Sequence, residues 1–316
     1  MKILDFEQIK GLGLTAEEMF QWTCEVWERQ DTFISPPRVF TWLGESGRFA
    51  TMPCIMPNED MAGVKFLSRN VDSVEEPPMR NSNIMLQRIS QHGLYAVLDG
   101  TWITTMRTGA CAYFHASRFS KSCPETLAVY GLGVAARAFM FFWYNLYKRP
   151  VTVKLLPYKD QHLKFMERYP ENGRVKYRVV DSLEELLHSD IIVSCVSYAR
   201  SVLCEDTGVY PAGCTIVPVH TAGFQNCDPV FDKVFVDDIG HVQESRHREG
   251  FKAHTTRITE VARGEKPGRE NDAERIVVYN GGLAIFDLHW AMKIIERAGD
   301  RAPDIPMAYP RERFWI

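Results

Sequence analysis

The sequence lacks the cysteine and histidine spacings that build metal sites. Its eight cysteines include no C-x-x-C pair, and its nine histidines include no H-E-x-x-H element. The cysteines are scattered through apolar segments, which is typical of reduced and mostly buried thiols. We therefore expect no metal ion and no disulfide framework.

Long apolar runs and an excess of basic charge are also missing. No apolar run approaches the roughly 20 residues needed to cross a bilayer, and the first residues do not resemble a secretory signal. The formal net charge of -3 gives no electrostatic reason to expect nucleic acid or a membrane surface as a partner. We expect a cytoplasmic globular protein, and its 316 residues predict two domains.

What the sequence does contain is a glycine-rich turn between an apolar strand and a helix. Residues 126–137 read TLAVYGLGVAAR, so a strand passes directly into Gly131-x-Gly133-x-x-Ala136. Gly131 suits a tight turn, Gly133 leaves room for a pyrophosphate, and Ala136 lets the helix pack against its strand. The helix N-terminus offers free N–H groups to phosphates. The motif indicates dinucleotide binding, although alone it could be only a tight turn.

Strand-like and helix-like segments alternate after this turn, as a parallel sheet with crossover helices requires. The predicted strands are 151–156, 175–180, 191–196, 215–219, 234–236 and 276–279. The predicted helices are 135–148, 160–169, 182–188 and 284–297. These strands are apolar enough to be buried on both faces.

The first 118 residues have a different pattern, with short alternating runs at 38–42, 48–54, 64–67, 83–87 and 95–98. They predict a mostly antiparallel sheet, with helices at 15–29 and 101–120. We therefore predict an α/β protein with two domains. A Rossmann-type dinucleotide-binding domain covers 119–286, and an α+β domain combines 1–118 with 287–316.

Three cationic residues, Arg38, Lys65 and Arg107, stand beside apolar residues in the first part of the chain. Taken singly, each is more simply a surface charge. Together they could bind one carboxylate firmly, since a charge-assisted hydrogen bond contributes roughly 1.5–3 kcal/mol. The trio therefore favours a small amino or keto acid as the ligand.

The run Leu98–Ala110, LDGTWITTMRTGA, followed by the glycine turn, resembles the signature of the ornithine cyclodeaminase and mu-crystallin family. The segments 48–53, 63–65, 258–269 and 282–287 agree with this resemblance. It implies a nicotinamide-dependent enzyme, usually a homodimer, in which 1–118 with 287–316 forms the substrate-binding and dimerisation domain. The implied chemistry is hydride transfer at a carbon that carries nitrogen.

The resemblance also implies roles for individual residues. Arg38, Lys65 and Arg107 match the family's substrate-carboxylate cluster, and Met52 is a further expected substrate contact. Lys65 is the best candidate acid, because two neighbouring arginines lower its pKa towards the range useful for proton transfer. The expected cofactor contacts are Thr108, Gly131, Gly133, Val134, Ala135, Ala136, Tyr158, Lys159, Cys195, Val196 and Gly282.

One departure from the family bears on the reaction. The cyclodeaminases carry an aspartate on the loop after the strand at 215–219, and this chain has Ala222 there. Asp228 follows six residues later and would need a gap to replace it; its plainer role is in a turn or helix cap. His220, just past the strand end, is a candidate proton donor. Phe286 also stands where the family commonly has an acid.

Without that aspartate, the more economical reaction is reduction of a preformed imine of a small carboxylic acid. Ketimine reductases, pyrroline-2-carboxylate reductases and opine-like dehydrogenases perform such reactions. Ornithine cyclodeamination to proline and ammonia is the alternative, and amino acid dehydrogenation with free ammonia is a third. A protein that holds its nucleotide without catalysis, as mu-crystallin does, is a hypothesis of another class. The cation trio favours an enzyme.

The choice of cofactor is expected at the end of the strand at 151–156. The following residues, Leu156 to Asp160, place no acid at the strand end for the ribose hydroxyl, and Lys159 is positioned for a phosphate on that ribose. We predict NAD(P)H as the cofactor, with a slight preference for NADPH.

Overall fold

The computed structural model describes residues 1–43, 47–70, 80–91, 93–196, 199, 201–220, 222–240 and 255–315. The chain divides into two compact units. The first unit comprises Met1–Thr15, Arg29–Arg107 and Leu283–Ile316, and the second comprises Ala16–Glu28 and Thr108–Gly282. The predicted α/β class, with a Rossmann-type sheet, is confirmed.

The described helices lie within two residues of the predicted bounds wherever a helix was predicted. They are α1 (Phe6–Lys10), α2 (Ala16–Arg29), α3 (Gly100–Arg118), α4 (Val134–Leu146), α5 (Gln161–Arg168), α6 (Leu183–Leu187), α7 (Ile258–Ala262) and α8 (Ala284–Ala298). Within the described residues, none of these helices combines the length and the apolar character that a membrane span requires.

The first unit is built on a six-stranded sheet with the order β1-β6-β5-β4-β3-β2. Its strands are β1 (Lys2–Leu4), β2 (Val39–Leu43), β3 (Gly47–Met56), β4 (Met61–Asn70), β5 (Arg80–Arg88) and β6 (Leu94–Asp99). Strands β2 to β6 pair in antiparallel fashion, as predicted, and β1 joins β6 in parallel. Strands β4 and β5 extend beyond the predicted runs because pairing continues through polar residues.

One face of this sheet is packed and the other is open. In β3 the side chains of Met52 and Cys54 are buried, whereas Phe49 and Ile55 on the opposite face are exposed. This period of two is expected when one face of a sheet packs on a core. Helix α8 lies on the packed face, where a Cβ atom at Gly63 would come within 3.0 Å of the Leu288 side chain.

The second unit is built on an eight-stranded sheet with the order β13-β12-β14-β11-β10-β7-β8-β9. Its strands are β7 (Thr126–Tyr130), β8 (Val151–Leu155), β9 (Val175–Val179), β10 (Ile191–Ser194), β11 (Thr215–Pro218), β12 (Lys233–Val236), β13 (Thr256–Arg257) and β14 (Ile276–Tyr279). All neighbouring pairs are parallel. The predicted strands lie within two residues of these. Most of them are buried on both faces and read as continuous apolar runs, whereas β9 at the edge of the sheet is largely exposed.

The compact units differ from the predicted segments in helix α2 and in the second half of α3. Both lie in the second unit, although the prediction grouped all of 1–118 in the first. Aromatic contacts explain the difference. Phe20 stands edge-on to Tyr113 with ring centroids 5.0 Å apart, and Trp27 stacks on Phe114 at 5.8 Å. The two helices pack together through these aromatic contacts, which the order of the residues along the sequence does not reveal.

Candidate active site

The glycine turn after β7 has the geometry of a phosphate cradle. Gly131 adopts a φ of +80°, and a Cβ atom there would lie 2.8 Å from the Val196 nitrogen. Gly133 is the N-cap residue of α4 and has no capping side chain, and apart from its chain neighbours no atom of the described residues lies within 4 Å of the position of its missing Cβ. Val134 is exposed, whereas Ala136 is buried against the sheet. The first N–H groups of α4 are therefore open to an anion.

Three more of the expected cofactor residues line this end of the second unit's strands. The Cys195 N–H, just past β10, donates to the Tyr130 carbonyl at 2.7 Å. Gly282 has a φ of +82°, and its N–H donates to the buried Asp237 carboxylate. The Thr108 carbonyl accepts the Asn280 amide at 3.3 Å. Together with Ala135 on the first turn of α4, these groups fit a dinucleotide.

Gly109 accounts for the glycine in the Arg-Thr-Gly-Ala element. A Cβ atom at this position would lie 2.4 Å from the backbone carbon of Ala138. Helices α3 and α4 therefore meet at van der Waals distance of their backbones, which only glycine permits. The element thus has a packing role beside the roles expected for its other residues.

The loop between β8 and α5 carries an exposed lysine. Lys159 adopts a φ of +50°, and its Nζ lies 5.7 Å from the centroid of the Tyr158 ring. Asp160 is engaged elsewhere, because its carboxylate forms an ion pair of 2.7 Å with Lys164 that lowers its pKa. The stretch between β8 and α5 therefore presents a cation and an aromatic ring.

Two of the three predicted cations, Lys65 and Arg107, meet at a buried carboxylate. Lys65 on β4 is 1% exposed, and its Nζ donates to Asp287 at 2.9 Å. The Arg107 Nε donates to the other oxygen of Asp287 at 3.1 Å. The terminal nitrogens of Arg107 make no hydrogen bond to any residue within the described ranges. They can therefore bind a ligand carboxylate.

The pKa of Lys65 lies near neutrality. Burial and the positive charges of Arg107 and Arg38 lower this pKa, the carboxylate of Asp287 raises it, and the net result is a pKa of about 8. The sequence had indicated the arginines as the main cause, and burial is the larger one. A lysine in this state can both give and take a proton at physiological pH.

The carboxylate of Asp287, in the first turn of α8, offsets part of the positive charge of Lys65 and Arg107. Burial raises the pKa of its carboxyl group, but Arg107 and Lys65 outweigh burial, so the pKa remains below its usual range. The Thr104 hydroxyl donates to the same carboxylate at 2.9 Å. Asp287 is therefore an anion with three donors.

The sheet register relates the positions of Met52 and Arg38 to that of Lys65. Met52 on β3 is directly opposite Lys65 on β4, and its side chain is buried. Arg38 directly precedes β2, whose first residue is opposite Thr51. The register thus places Met52 opposite Lys65, and Arg38 stands one position before the first paired residue of β2.

His220 and Asp228 both belong to the second unit. The His220 Nε2 and the Ser194 hydroxyl are 2.7 Å apart, and burial lowers the pKa of the imidazole to about 4. The ring is therefore neutral at neutral pH. Asp228 is fully buried, and its carboxylate accepts the Tyr279 hydroxyl at 2.9 Å. This contact holds the loop after β11 to β14, and the catalytic role expected for Asp228 stays a prediction.

The sequence prediction did not include Asp287 among the site residues. Its signal was a lone acid in the run 283–292, in which His289 is the one other polar residue. A charged residue in such a run is buried with a partner, because an unpaired charge in a core is costly. Its partner Lys65 lies 222 positions away in the chain.

A family model agrees with this geometry. The model of the ornithine cyclodeaminase/mu-crystallin family matches residues 12–302. The chain belongs to this family. The resemblance that the Arg-Thr-Gly-Ala element and the glycine turn suggested is thereby confirmed.

The chain is similar to named reductases and a named dehydrogenase. A Delta(1)-pyrroline-2-carboxylate reductase of Bacillus cereus is 25% identical over 231 residues, which cover 69% of this chain and 71% of the relative. The structure of the Thermococcus litoralis Delta(1)-pyrroline-2-carboxylate reductase with NADH and L-proline superimposes with a TM-score of 0.86 at 21% identity, covering 96% of this chain and all of that one. An archaeal alanine dehydrogenase dimer with bound NAD gives 0.80 at 20% identity, covering 95% and 97%.

Proposed function

We propose that this protein is an NAD(P)H-dependent oxidoreductase that reduces the imine of a small carboxylic acid. The observation that carries the proposal is the buried Lys65, held between Asp287 and the arginines with a pKa near 8. A protein that only stores a nucleotide has no use for such a group. The reductase names among the relatives support the same reaction class.

The charged residues of the first unit bind the substrate. The terminal nitrogens of Arg107, together with Arg38, hold the substrate carboxylate by charge-assisted hydrogen bonds. Lys65 gives a proton to the imine nitrogen as the carbon–nitrogen double bond becomes single. Asp287 then stabilises the next protonation of Lys65 through their hydrogen bond. Met52 packs beside Lys65 and excludes water from it.

The second unit holds the dinucleotide. The first turn of α4 binds the pyrophosphate, with Gly131 and Gly133 leaving room for it. When bound, the reduced nicotinamide supplies the hydride that the imine carbon accepts. Lys159 holds the ribose phosphate that distinguishes NADPH, so we infer a slight preference for that form.

Ornithine cyclodeamination is less well supported. The expected aspartate position is Ala222, and the nearby Asp228 carboxylate is buried against the Tyr279 hydroxyl. His220 is neutral at neutral pH, so it is a poor donor for ring closure. We therefore assign proton transfer to Lys65, and the catalytic roles expected for His220 and Asp228 stay predictions.

The proposed reaction is tested with purified protein, NADPH or NADH, and pyrroline-2-carboxylate. We expect nicotinamide absorbance to fall with the imine and proline to form in equal amount. Ornithine with the oxidised cofactor is the matched assay for cyclodeamination, in which proline and ammonia would appear instead. Nucleotide binding without turnover on any imine would favour the storage protein.

We further propose a homodimer formed through the open face of the first unit's sheet. Phe66 and Met85 on this face are 38% and 37% exposed, and Phe66 stacks on the exposed Phe49 with ring centroids 5.7 Å apart. An apolar sheet face of this kind favours a second copy of itself, because a two-fold axis makes it self-complementary. The dimer named for the archaeal alanine dehydrogenase supports this.

A further inference from the structure

The ammonium group of Lys65 has three protons, and two of them have acceptors in the first unit. Its Nζ donates to Asp287 Oδ2 at 2.9 Å and, in a longer contact, to the Thr104 hydroxyl oxygen at 3.4 Å. Within the described ranges of the chain, the third proton makes no hydrogen bond. The three N–H bonds of an ammonium group are arranged tetrahedrally, so two acceptors determine the direction of the third bond.

Helix α3 fixes the carboxylate that serves as the first acceptor. The Thr104 hydroxyl donates to Asp287 Oδ1 at 2.9 Å, and the Arg107 Nε donates to the same oxygen at 3.1 Å. Thr104 and Arg107 are three positions apart, so they lie on one face of the helix. Because both donors hold Oδ1, the other oxygen, Oδ2, is directed at Lys65.

The direction of the hydrogen bonds at Thr104 follows from its single hydroxyl proton. This proton goes to the Asp287 carboxylate, which is the closest and the only charged acceptor of Thr104 among the described residues. The hydroxyl oxygen therefore accepts from Lys65 and from Ser82, whose own hydroxyl oxygen lies 3.4 Å away. Ser82 is kept close by Gly100, where a Cβ atom would come within 2.7 Å of the Ser82 Oγ.

Thr104 supplies direction to this cluster and no charge. A helical threonine commonly donates to a backbone carbonyl one turn earlier, whereas Thr104 donates to Asp287. The pKa of Lys65 depends on burial and on the charges of Asp287, Arg107 and Arg38. The direction of the Lys65 proton and its acidity thus have separate causes.

We propose that Thr104 is a positioning residue that, together with Asp287, turns the Lys65 ammonium group so that its third proton points to the imine nitrogen. This inference rests on the proposed imine reduction and names a further residue that this reaction needs. In the step, the Lys65 N–H bond breaks and a new N–H bond forms on the imine nitrogen. The imine carbon accepts the hydride of the reduced nicotinamide, which is thereby oxidised, and Lys65 is left as a neutral amine.

Steady-state kinetics of Thr104→Val test this role, because valine keeps the shape of the side chain and removes its hydroxyl. We expect kcat for imine reduction to fall at least about tenfold with KM changed by less than about twofold. The pH step at about 8 should remain, since Thr104 does not set it. The solvent deuterium isotope effect on kcat should increase, because proton transfer then becomes slower than the other steps.

Two further variants separate orientation from a loss of structure. Thr104→Ser keeps the hydroxyl and should restore kcat to within about threefold of the unchanged enzyme. The matched control is Thr105→Val, which makes the same substitution at the next position of α3. The Thr105 side chain makes no hydrogen bond within the part of the chain that the structure describes, so its kcat and isotope effect should not change. Ser82→Ala, which removes the donor to Thr104, should lower kcat by a smaller factor and applies if Thr104→Val does not fold.

The orientation can also be measured without turnover, by nitrogen-15 relaxation of the Lys65 ammonium group in the complete protein below the pKa of about 8. The signal is identified by its loss in Lys65→Arg. We expect slow rotation about the Cε–Nζ bond in the unchanged protein and faster rotation in Thr104→Val.

Equal rotation in the two proteins would overturn the inference, as would a Thr104→Val enzyme with normal kcat or one in which only KM changes. These results leave the proposed function intact if the unchanged protein reduces imines. An ammonium group that Thr104 holds in a protein that reduces no imine would instead refute the proposed function and leave the orientation by Thr104 standing.

Discussion

The Lys65 ammonium group donates a hydrogen bond of 2.9 Å to the carboxylate of Asp287, and these two side chains are 2% and 0% exposed. Burial alone would drive the lysine to its neutral form, and the carboxylate restores part of the charged form. The pair therefore holds a proton that can be exchanged near neutral pH.

The rate of imine reduction should depend on the protonation of Lys65. Its pKa is lowered to about 8, so the ammonium form is present below this pH and is lost as the pH rises through it. We expect turnover in the direction of reduction to fall above about pH 8. Oxidation of the product amine, which needs neutral Lys65, should rise through the same range. Initial rates in both directions across pH measure this.

Lys65→Ala should reduce turnover by at least about a hundredfold, which is the usual loss when a positioned acid is removed. Its remaining activity should lack the step in the pH profile. A variant with normal turnover and only a weaker substrate affinity would make Lys65 a binding residue instead.

Asp287→Asn should move the same pH step to lower values. Without the carboxylate, Lys65 keeps the arginines and burial that lower its pKa and loses the group that raises it. Breaking a buried pair should also reduce the free energy of unfolding by about 3–5 kcal/mol. Urea unfolding and pH–rate profiles test both effects. Asp160→Asn is the matched control, because its ion pair with Lys164 is exposed and no change is expected.

The two glycines of the phosphate turn should respond differently to alanine. Gly131→Ala places a side chain at a φ of +80° and 2.8 Å from a backbone nitrogen, so it should destabilise the fold. Gly133→Ala meets nothing within 4 Å, so its stability should change by less than about 0.5 kcal/mol. It should instead raise the Michaelis constant for the nucleotide. An unstable Gly133→Ala with normal nucleotide binding would contradict the proposed cradle.

Lys159→Glu should shift the cofactor preference from NADPH towards NADH. An acid at this position repels the ribose phosphate and accepts the ribose hydroxyl instead. The ratio of kcat/KM values for the two cofactors measures the shift. A clear preference of the unchanged enzyme for NADH would remove Lys159 from this role.

Phe66→Glu should convert the proposed dimer into monomers, since it places a charge in the centre of the apolar face. Sedimentation velocity measures the change in mass. Val179→Glu is the matched control, because Val179 is an exposed apolar residue on β9 in the other unit. A dimer that survives Phe66→Glu would exclude this face as the interface.

Much of the second unit could be predicted because its strands and its glycine turn are specified by residues that are close together in the sequence. Strands buried on both faces are apolar runs, and Gly131 marks the point where β7 turns into α4. Sheet register is less accessible, because the pairing of Met52 with Lys65 follows from a turn between β3 and β4 that the sequence does not specify. Met52 and Lys65 could therefore be predicted as site residues, but their pairing could not.

Asp287 shows that a sequence pattern does not identify which residue of a helix pairs with a buried charge. The family resemblance directed attention to Phe286, and the residue one position later carries the acid. Neighbouring positions on a helix point about 100° apart, so only the packing of α8 decides which one faces Lys65. The partner of a buried charge is a tertiary property, and here the partners are 180 and 222 positions distant.

The contacts of Lys65 and Arg107 with Asp287, and the charge of Arg38 that acts on Lys65, have a consequence for the end of the catalytic cycle. Reduction turns a weakly basic imine into a strongly basic amine, which binds a proton and becomes a cation. Like charges repel, so the same cluster that attracts the incoming acid disfavours the ammonium form of what leaves. A strongly basic amine is already charged near neutral pH, so we expect product inhibition to weaken as the pH falls through about 8, because Lys65 then regains the positive charge that repels it.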